Sequence, residues 1–178
     1  MTKSASPFSR RLRLFWKRHH ASLCFGIPAV LALIWMSAIE PRLLAVRDYE
    51  VALPGLPPGL DGFTIAVLSD IHLKAGTLRR FPGWVETVNR RRPDLVVMLG
   101  DFVNGYGDND PALSELSDDM RNFHASYGVF AVLGNHDLMR GSGPVAEALA
   151  AGNVRLLREE AVALPTPHGE LNLIGLDY

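Results

Sequence analysis

The stretch from residue 63 to residue 72 reads FTIAVLSDIH, and it carries the two signals on which the fold depends. Its first part, Phe63–Leu68, is apolar and partly β-branched, which is typical of a strand buried on both faces of a sheet. Polar residues follow immediately at Ser69, Asp70 and His72. We therefore expect a buried strand that ends in an acidic, histidine-bearing motif.

The same arrangement recurs twice further along the chain. Leu95–Leu99 is a second apolar run, and it is followed by Gly100 and Asp101. Val129–Leu133 is a third, and it is followed by the sequence GNHD at residues 134–137. Because ligands of open α/β sheets bind outside the carboxyl ends of the strands, we expect the three motifs to converge on one site.

Segments with helical spacing of apolar residues separate the strands, at Phe81–Arg92, Ala112–Ala125 and Pro144–Ala151. Strands that alternate with helices predict an α/β fold with a largely parallel sheet and right-handed crossovers. Two later segments, Glu160–Leu164 and Glu170–Leu176, look like strands of a hairpin. The hairpin predicts that the sheet is mixed.

The chain before residue 63 predicts three further units. Residues 21–39 contain no charged side chain and are about as long as the roughly 20 residues that cross a bilayer, which predicts a transmembrane signal-anchor. The basic segment 1–20 favours the cytoplasm, which would place domain 63–178 on the extracytoplasmic side of the cell (inner) membrane. Residues 40–62 form a Pro-rich linker in which Tyr49–Leu53 could be a short edge strand.

Other readings of the apolar N-terminal segment stay open. A cleaved signal peptide, a twin-arginine signal and a buried soluble helix are each compatible with part of the pattern. The single cysteine, Cys24, lies in this segment, so the chain can form neither an internal disulfide nor a cysteine-based zinc site. The net charge of −1 gives no indication of a nucleic-acid surface.

The polar motifs have the chemistry of a metal site. Asp70 and His72 are two residues apart, so in extended chain their side chains would point the same way toward one ion. Asp101 follows a glycine that permits a sharp turn, and Asn135 offers a neutral carbonyl oxygen. Ligands of this kind suit Mn, Fe or Zn better than Ca. Two such ions can activate water and stabilise a phosphoryl transition state.

Taken together, the Asp-x-His, Gly-Asp and Gly-Asn-His-Asp motifs resemble those of the calcineurin-like metallophosphoesterases, over roughly residues 51–178. With the N-terminal segment, the chain is most similar to the bacterial membrane-anchored or exported branch. The resemblance implies a β-sandwich flanked by helices, of which this chain supplies the N-terminal part. It also implies two divalent metal ions and hydrolysis of a phosphodiester, phosphomonoester or pyrophosphate bond, with a substrate that could be lipid- or nucleotide-linked.

The resemblance also implies a role for each motif residue. Asp70 and His72 would bind the first metal, Asp101 would bridge both metals, and Asn135 would bind the second. A hydroxide that bridges the metals would be the nucleophile. The catalytic pair would be His136, which protonates the leaving oxygen, and Asp137, which orients the His136 ring.

One part of the family pattern has no counterpart in the chain. The family completes its site with a later histidine and a Gly-His-x-His motif, whereas His168 is the only histidine after Asp137 and falls in the predicted hairpin turn. The sequence therefore predicts an incomplete domain. The alternative to an enzyme is a non-catalytic, membrane-tethered binding module or an inactive fragment of such an enzyme.

Overall fold

The computed structural model describes residues 16–17, 19–20, 22–40, 43–73, 83–104, 110–139, 141–167 and 169–176. The chain forms two compact units, Met1–Ala45 and Val46–Tyr178. Most of the predicted basic segment and the predicted turn residue His168 lie outside the described residues.

The first unit is helical through most of the predicted signal-anchor. A π-helical turn, Ser22–Gly26, leads into helix α1, Ile27–Ile34, and a second π-helical segment, Trp35–Ile39, follows. Among the described residues, no helix combines the length and the apolar character needed to cross a bilayer. The transmembrane signal-anchor stays a prediction.

A parallel sheet of four strands forms the centre of the second unit. The strands lie side by side in chain order, as β1 (Ile65–Leu68), β2 (Leu95–Met98), β3 (Val129–Ala131) and β4 (Arg155–Leu156). The predicted parallel α/β arrangement is therefore confirmed. The sequence did not signal β4, because a strand of two residues is too short to show a period.

Helices cover one face of this sheet. The second unit contains α2 (Trp84–Arg90), α3 (Asp110–Met120), α4 (Asn135–Leu138) and α5 (Gly143–Ala151). Side chains from α3 and α5 form one buried cluster with alternate residues of the strands, among them Leu116, Leu149, Val96 and Met98. This layer fixes the sheet, and with it the ends of the strands that carry the polar motifs.

An antiparallel hairpin lies against the opposite face. Strands β5 (Glu160–Thr166) and β6 (Gly169–Gly175) pair only with each other and form a second sheet. Leu164 of the hairpin packs in a second buried cluster with Leu95 and Phe130. The prediction of one mixed sheet is wrong, since the hairpin buries its apolar side on the face of the parallel sheet instead of joining its edge.

Strand β1 forms the edge of the parallel sheet, and one of its faces is open. Ile65 is 48% exposed and Val67 is 60% exposed, so the prediction that β1 is buried on both faces is wrong. The reason is that Ala66 and Leu68 pack against the helix side, while Ile65 and Val67 belong to neither buried cluster of the described residues. The linker residues Tyr49–Leu53 form no strand, and that prediction is also wrong.

Candidate metal centre

The first two motifs continue the parallel pairing beyond the ends of their strands. The backbone N–H of His72 donates to the carbonyl of Asp101 at 2.9 Å, and that of Leu73 donates to the carbonyl of Phe102 at 2.7 Å. An isolated parallel bridge between Leu73 and Val103 follows. The loops after β1 and β2 are thus held side by side, as the sequence predicts.

Three of the predicted ligands have left-handed backbone conformations. The φ angles are 55° at Asp70, 47° at His72 and 55° at Asp101. Such conformations are uncommon without glycine and cost roughly 1–3 kcal/mol each, so they persist only where neighbouring contacts enforce them. The expectation that Asp70 and His72 lie in extended chain is wrong. Their side chains still approach each other, with Oδ1 of Asp70 3.8 Å from Nε2 of His72.

The imidazole of His72 lies between two carboxylates. Its Nε2 atom is 3.8 Å from Oδ1 of Asp70 and 3.8 Å from Oδ2 of Asp101. Ligand atoms that each lie about 2.1 Å from one ion can be separated by up to about 4.2 Å, so both separations allow a shared divalent ion. A nitrogen and two carboxylate oxygens are also the donor set of the metals predicted from the sequence. The residues present therefore fit a divalent metal.

The third motif reaches the same place through α4. Asn135 and His136 are its first two residues, and both are partly buried. The ring of His136 meets that of His72 edge to face, with 4.7 Å between ring centroids. Ligand atoms of His72, Asp101 and His136 all lie within 4.8 Å of one another. By distance alone, His136 could therefore act as a ligand as well as a proton donor.

One buried atom of the site has no hydrogen-bond partner among the described residues. Nδ1 of His72 is buried and accepts or donates no hydrogen bond within the part of the chain that the structure describes. Buried polar atoms in folded proteins nearly always have a partner, and an unsatisfied one is costly. A histidine that binds metal through one ring nitrogen usually donates its other ring N–H. The partner of Nδ1 is therefore not among the described residues.

The carboxylate of Asp137 does not have the role expected of it. The side chain is fully buried. Its Oδ2 accepts the backbone N–H groups of Asp101 and Gly134, and its Oδ1 accepts those of Phe102 and Val103. A carboxylate has about four acceptor positions, so these four donors leave none for the ring of His136. The structure thus replaces the predicted contact with that ring by contacts to backbone.

Burial and hydrogen bonding act in opposite directions on Asp137. Burial raises the pKa of its carboxyl above the usual value, and the N–H groups of Gly134, Val103, Asp101 and Phe102 lower it. Because every acceptor position faces an N–H donor, the geometry suits the ionised form. Sequence reasoning missed this function, since backbone donors leave no residue pattern.

The family model described as calcineurin-like phosphoesterase matches residues 63–170. This range contains all three motifs and every residue of the site described above, together with the whole parallel sheet and most of the hairpin.

Several curated relatives match the same region. UDP-2,3-diacylglucosamine pyrophosphatase LpxG of Chlamydia trachomatis is 36% identical over 112 residues, which are 61% of this chain and 32% of the relative. An uncharacterized metallophosphoesterase of Aquifex aeolicus is 34% identical over 132 residues, 72% of this chain and 48% of the relative. A transmembrane protein with metallophosphoesterase domain from Danio rerio is 32% identical over 117 residues, 65% of this chain and 26% of the relative.

The chain spans about a third of the length of the first of these relatives. The match extends from the first motif through the third, and the three motifs meet at the carboxyl ends of the parallel strands. The chain therefore belongs to the calcineurin-like phosphoesterase family.

Proposed function

We propose that the protein is part of a metal-dependent hydrolase that cleaves a phosphoester or pyrophosphate bond at a centre of two divalent ions. The observation that carries this proposal is the convergence of His72, Asp101 and His136, whose ligand atoms all lie within 4.8 Å of one another. Residues from three separate loops meet there, at the carboxyl edge of the sheet, which is where α/β proteins bind their ligands.

The site residues divide into metal-binding and proton-donating groups. Asp70, His72 and Asp101 would hold one ion, and Asp101 with Asn135 would contribute to the second. The ions would supply an activated water and positive charge opposite the phosphoryl oxygens. His136 would donate a proton to the leaving oxygen, and its ring meets that of His72 edge to face, so the donor is held next to the metal ligands.

The name of one relative supports a substrate class. LpxG of Chlamydia trachomatis is a UDP-2,3-diacylglucosamine pyrophosphatase, which makes a nucleotide- and lipid-linked pyrophosphate the first substrate to test. The apolar segment at residues 21–39 would bring the domain to the membrane surface where such a substrate lies. We place the domain on the extracytoplasmic side of that membrane, from the positive charge of residues 1–20.

Two measurements on the 178-residue chain test the function. Titration with Mn²⁺ in a calorimeter gives stoichiometry and affinity, and a panel of a phosphomonoester, a phosphodiester and a UDP-linked pyrophosphate gives activity. We expect saturable Mn²⁺ binding that His72→Ala abolishes, and Mn²⁺-dependent hydrolysis in wild type. The matched control is His124→Ala, since His124 is exposed and follows α3, outside the three motifs.

The alternative function is a membrane-tethered binding module without catalysis. Failure of the wild-type chain to bind Mn²⁺ would overturn the metal-dependent hydrolase in favour of this module. Binding of Mn²⁺ without hydrolysis of any of the three substrate classes would leave a metal site and remove the proposed activity from this chain.

A further inference from the structure

Asp137 is the centre of a set of hydrogen bonds that joins two loops. Its four backbone donors are Asp101, Phe102 and Val103 from the loop after β2, and Gly134 from the loop after β3. The four N···O distances lie between 2.8 and 3.2 Å. Hydrogen bonds to an ionised acceptor are stronger than neutral ones, and burial removes competition from water.

The three consecutive donors of the first loop form a nest for an anion. Successive N–H groups point to one side of the chain when a left-handed residue is included, and Asp101 has φ 55°. In this protein the nest is filled by a side chain of the same chain, so it is not available to a ligand. Without that carboxylate, the buried N–H groups of Phe102 and Val103 and the partly buried N–H group of Asp101 would lose their acceptor.

In a fifth hydrogen bond, the donor lies in α4 and the acceptor lies in the loop after β2. The backbone N–H of His136 donates to Oδ1 of Asp101 at 2.9 Å. This bond uses one oxygen of Asp101 and leaves Oδ2, the atom that lies 3.8 Å from Nε2 of His72, available to a metal ion. Both the backbone and the side-chain orientation of Asp101 are therefore fixed by residues 134–137.

We propose that Asp137 is a positioning residue of the metal centre, which holds Asp101 in its left-handed conformation and so sets the ligand oxygen that faces the ions. The inference rests on the proposed metal site but concerns a residue outside the proposed ligand set, whose printed bonds are all to backbone N–H groups. It replaces the role expected from sequence, in which Asp137 orients the ring of His136.

Asp137→Asn is the most informative substitution. Asparagine has the same shape, but only one of its two terminal atoms accepts hydrogen bonds, and the other carries two N–H groups. Whichever way the amide is turned, one pair of backbone N–H groups then faces a donor. The substitution should release the loop after β2 without creating a cavity.

An effect of Asp137→Asn on the overall stability of the protein has to be distinguished from an effect on the position of the loop that carries Asp101. Leu149→Ala is a matched control, because Leu149 is fully buried in α5 and packs in the helix-side core, outside the three motifs. At a temperature where both variants are folded, we expect Asp137→Asn to weaken Mn²⁺ binding at least about ten-fold, the effect typical of groups that orient metal ligands. The Mn²⁺ affinity of Leu149→Ala should stay within about two-fold of wild type, even where this substitution lowers the thermal midpoint as much as Asp137→Asn does.

Amide hydrogen exchange in the absence of metal gives a second readout. We expect the amides of Asp101, Phe102 and Val103 to exchange at least about ten-fold faster in Asp137→Asn than in Leu149→Ala. Equal Mn²⁺ affinity and equal exchange in the two variants would overturn the positioning role. If wild type binds no Mn²⁺, the proposed function fails, and the exchange rates still decide whether Asp137 holds the loop.

A failure of Asp137→Asn to fold would move the test to the wild-type protein. The amides of Phe102 and Val103 should then exchange far more slowly than that of Glu159, which lies on the exposed turn before β5. Exchange of Phe102 and Val103 at the rate of Glu159 would overturn the proposal.

Discussion

The backbones of Gly100 and Gly134 pass so close to each other that neither residue has room for a side chain. A Cβ atom on Gly100 would lie 2.2 Å from the amide nitrogen of Gly134. A Cβ atom on Gly134 would lie 2.2 Å from Oδ1 of Asp101. Gly100 also has a φ of +86°, whereas Gly134 has a φ of −94° that any residue can adopt. At Gly134, therefore, glycine is required by space and not by conformation.

Gly134→Ala should destabilise the protein and disturb the metal site together. The added methyl group would push on a carboxylate oxygen and on backbone, neither of which can rotate away, and overpacking of this kind costs about 1–3 kcal/mol. We expect a lower midpoint in urea denaturation and weaker Mn²⁺ binding. Gly143→Ala is the matched control, since nothing lies within 4 Å of its Cβ position at the start of α5. An unchanged Mn²⁺ affinity in Gly134→Ala would contradict the close approach.

His136→Asn separates a proton donor from a metal ligand. If His136 donates a proton, kcat should fall by roughly 10²–10⁴-fold while the Mn²⁺ affinity stays close to wild type. Both quantities have to be measured, because a ring nitrogen of His136 lies within 4.8 Å of ligand atoms of His72 and Asp101 and could itself bind the metal. Calorimetry with Mn²⁺ and steady-state kinetics on the same preparation measure the two quantities. A parallel fall of affinity and kcat would assign His136 to the metal. The exposed His124, changed to Asn, serves as control.

Two valines in adjacent strands should respond differently to the same change. Val96 in β2 is fully buried, whereas Val67 in β1 is 60% exposed. Val96→Thr places a hydroxyl group in the core and should lower the free energy of unfolding by about 1–3 kcal/mol. Val67→Thr should change it by no more than about 0.5 kcal/mol. Urea denaturation of the full chain measures both. Equal losses at the two positions would mean that the open face of β1 is covered in the protein.

The order of the strands and helices could be predicted from the sequence because it rests on local periodicity. The runs that begin at Leu95 and Val129 became β2 and β3, and the helical spacing around Leu116 marks α3. The sequence did not distinguish an edge strand from a central strand. The run FTIAVL is as apolar as the buried runs, and yet it forms β1 at the open edge of the sheet. Exposure there depends on which distant segments cover the strand.

The location of the candidate site was also predictable, but its local geometry was not. Motifs at the ends of parallel strands meet for topological reasons, and His72 and Asp101 do lie together. The left-handed conformations of Asp70, His72 and Asp101 have only a weak sequence signal, because none of these residues is glycine. Three of the four partners of Asp137 stand 34 to 36 positions earlier, in the loop after β2, and their side chains take no part.

The backbone contacts of Asp137 have a consequence for the variation that the protein can accept. An N–H group is present at residue 102 or 103 whatever the side chain, unless the residue is proline. Phe102 and Val103 could therefore change freely, within the limits of their burial, without breaking the bonds to the carboxylate. In a set of diverged sequences Asp137 would have no covarying partner, although it joins two loops. Pairwise covariation, which detects contacts between side chains, would not detect the contact between the Asp137 carboxylate and these backbone N–H groups.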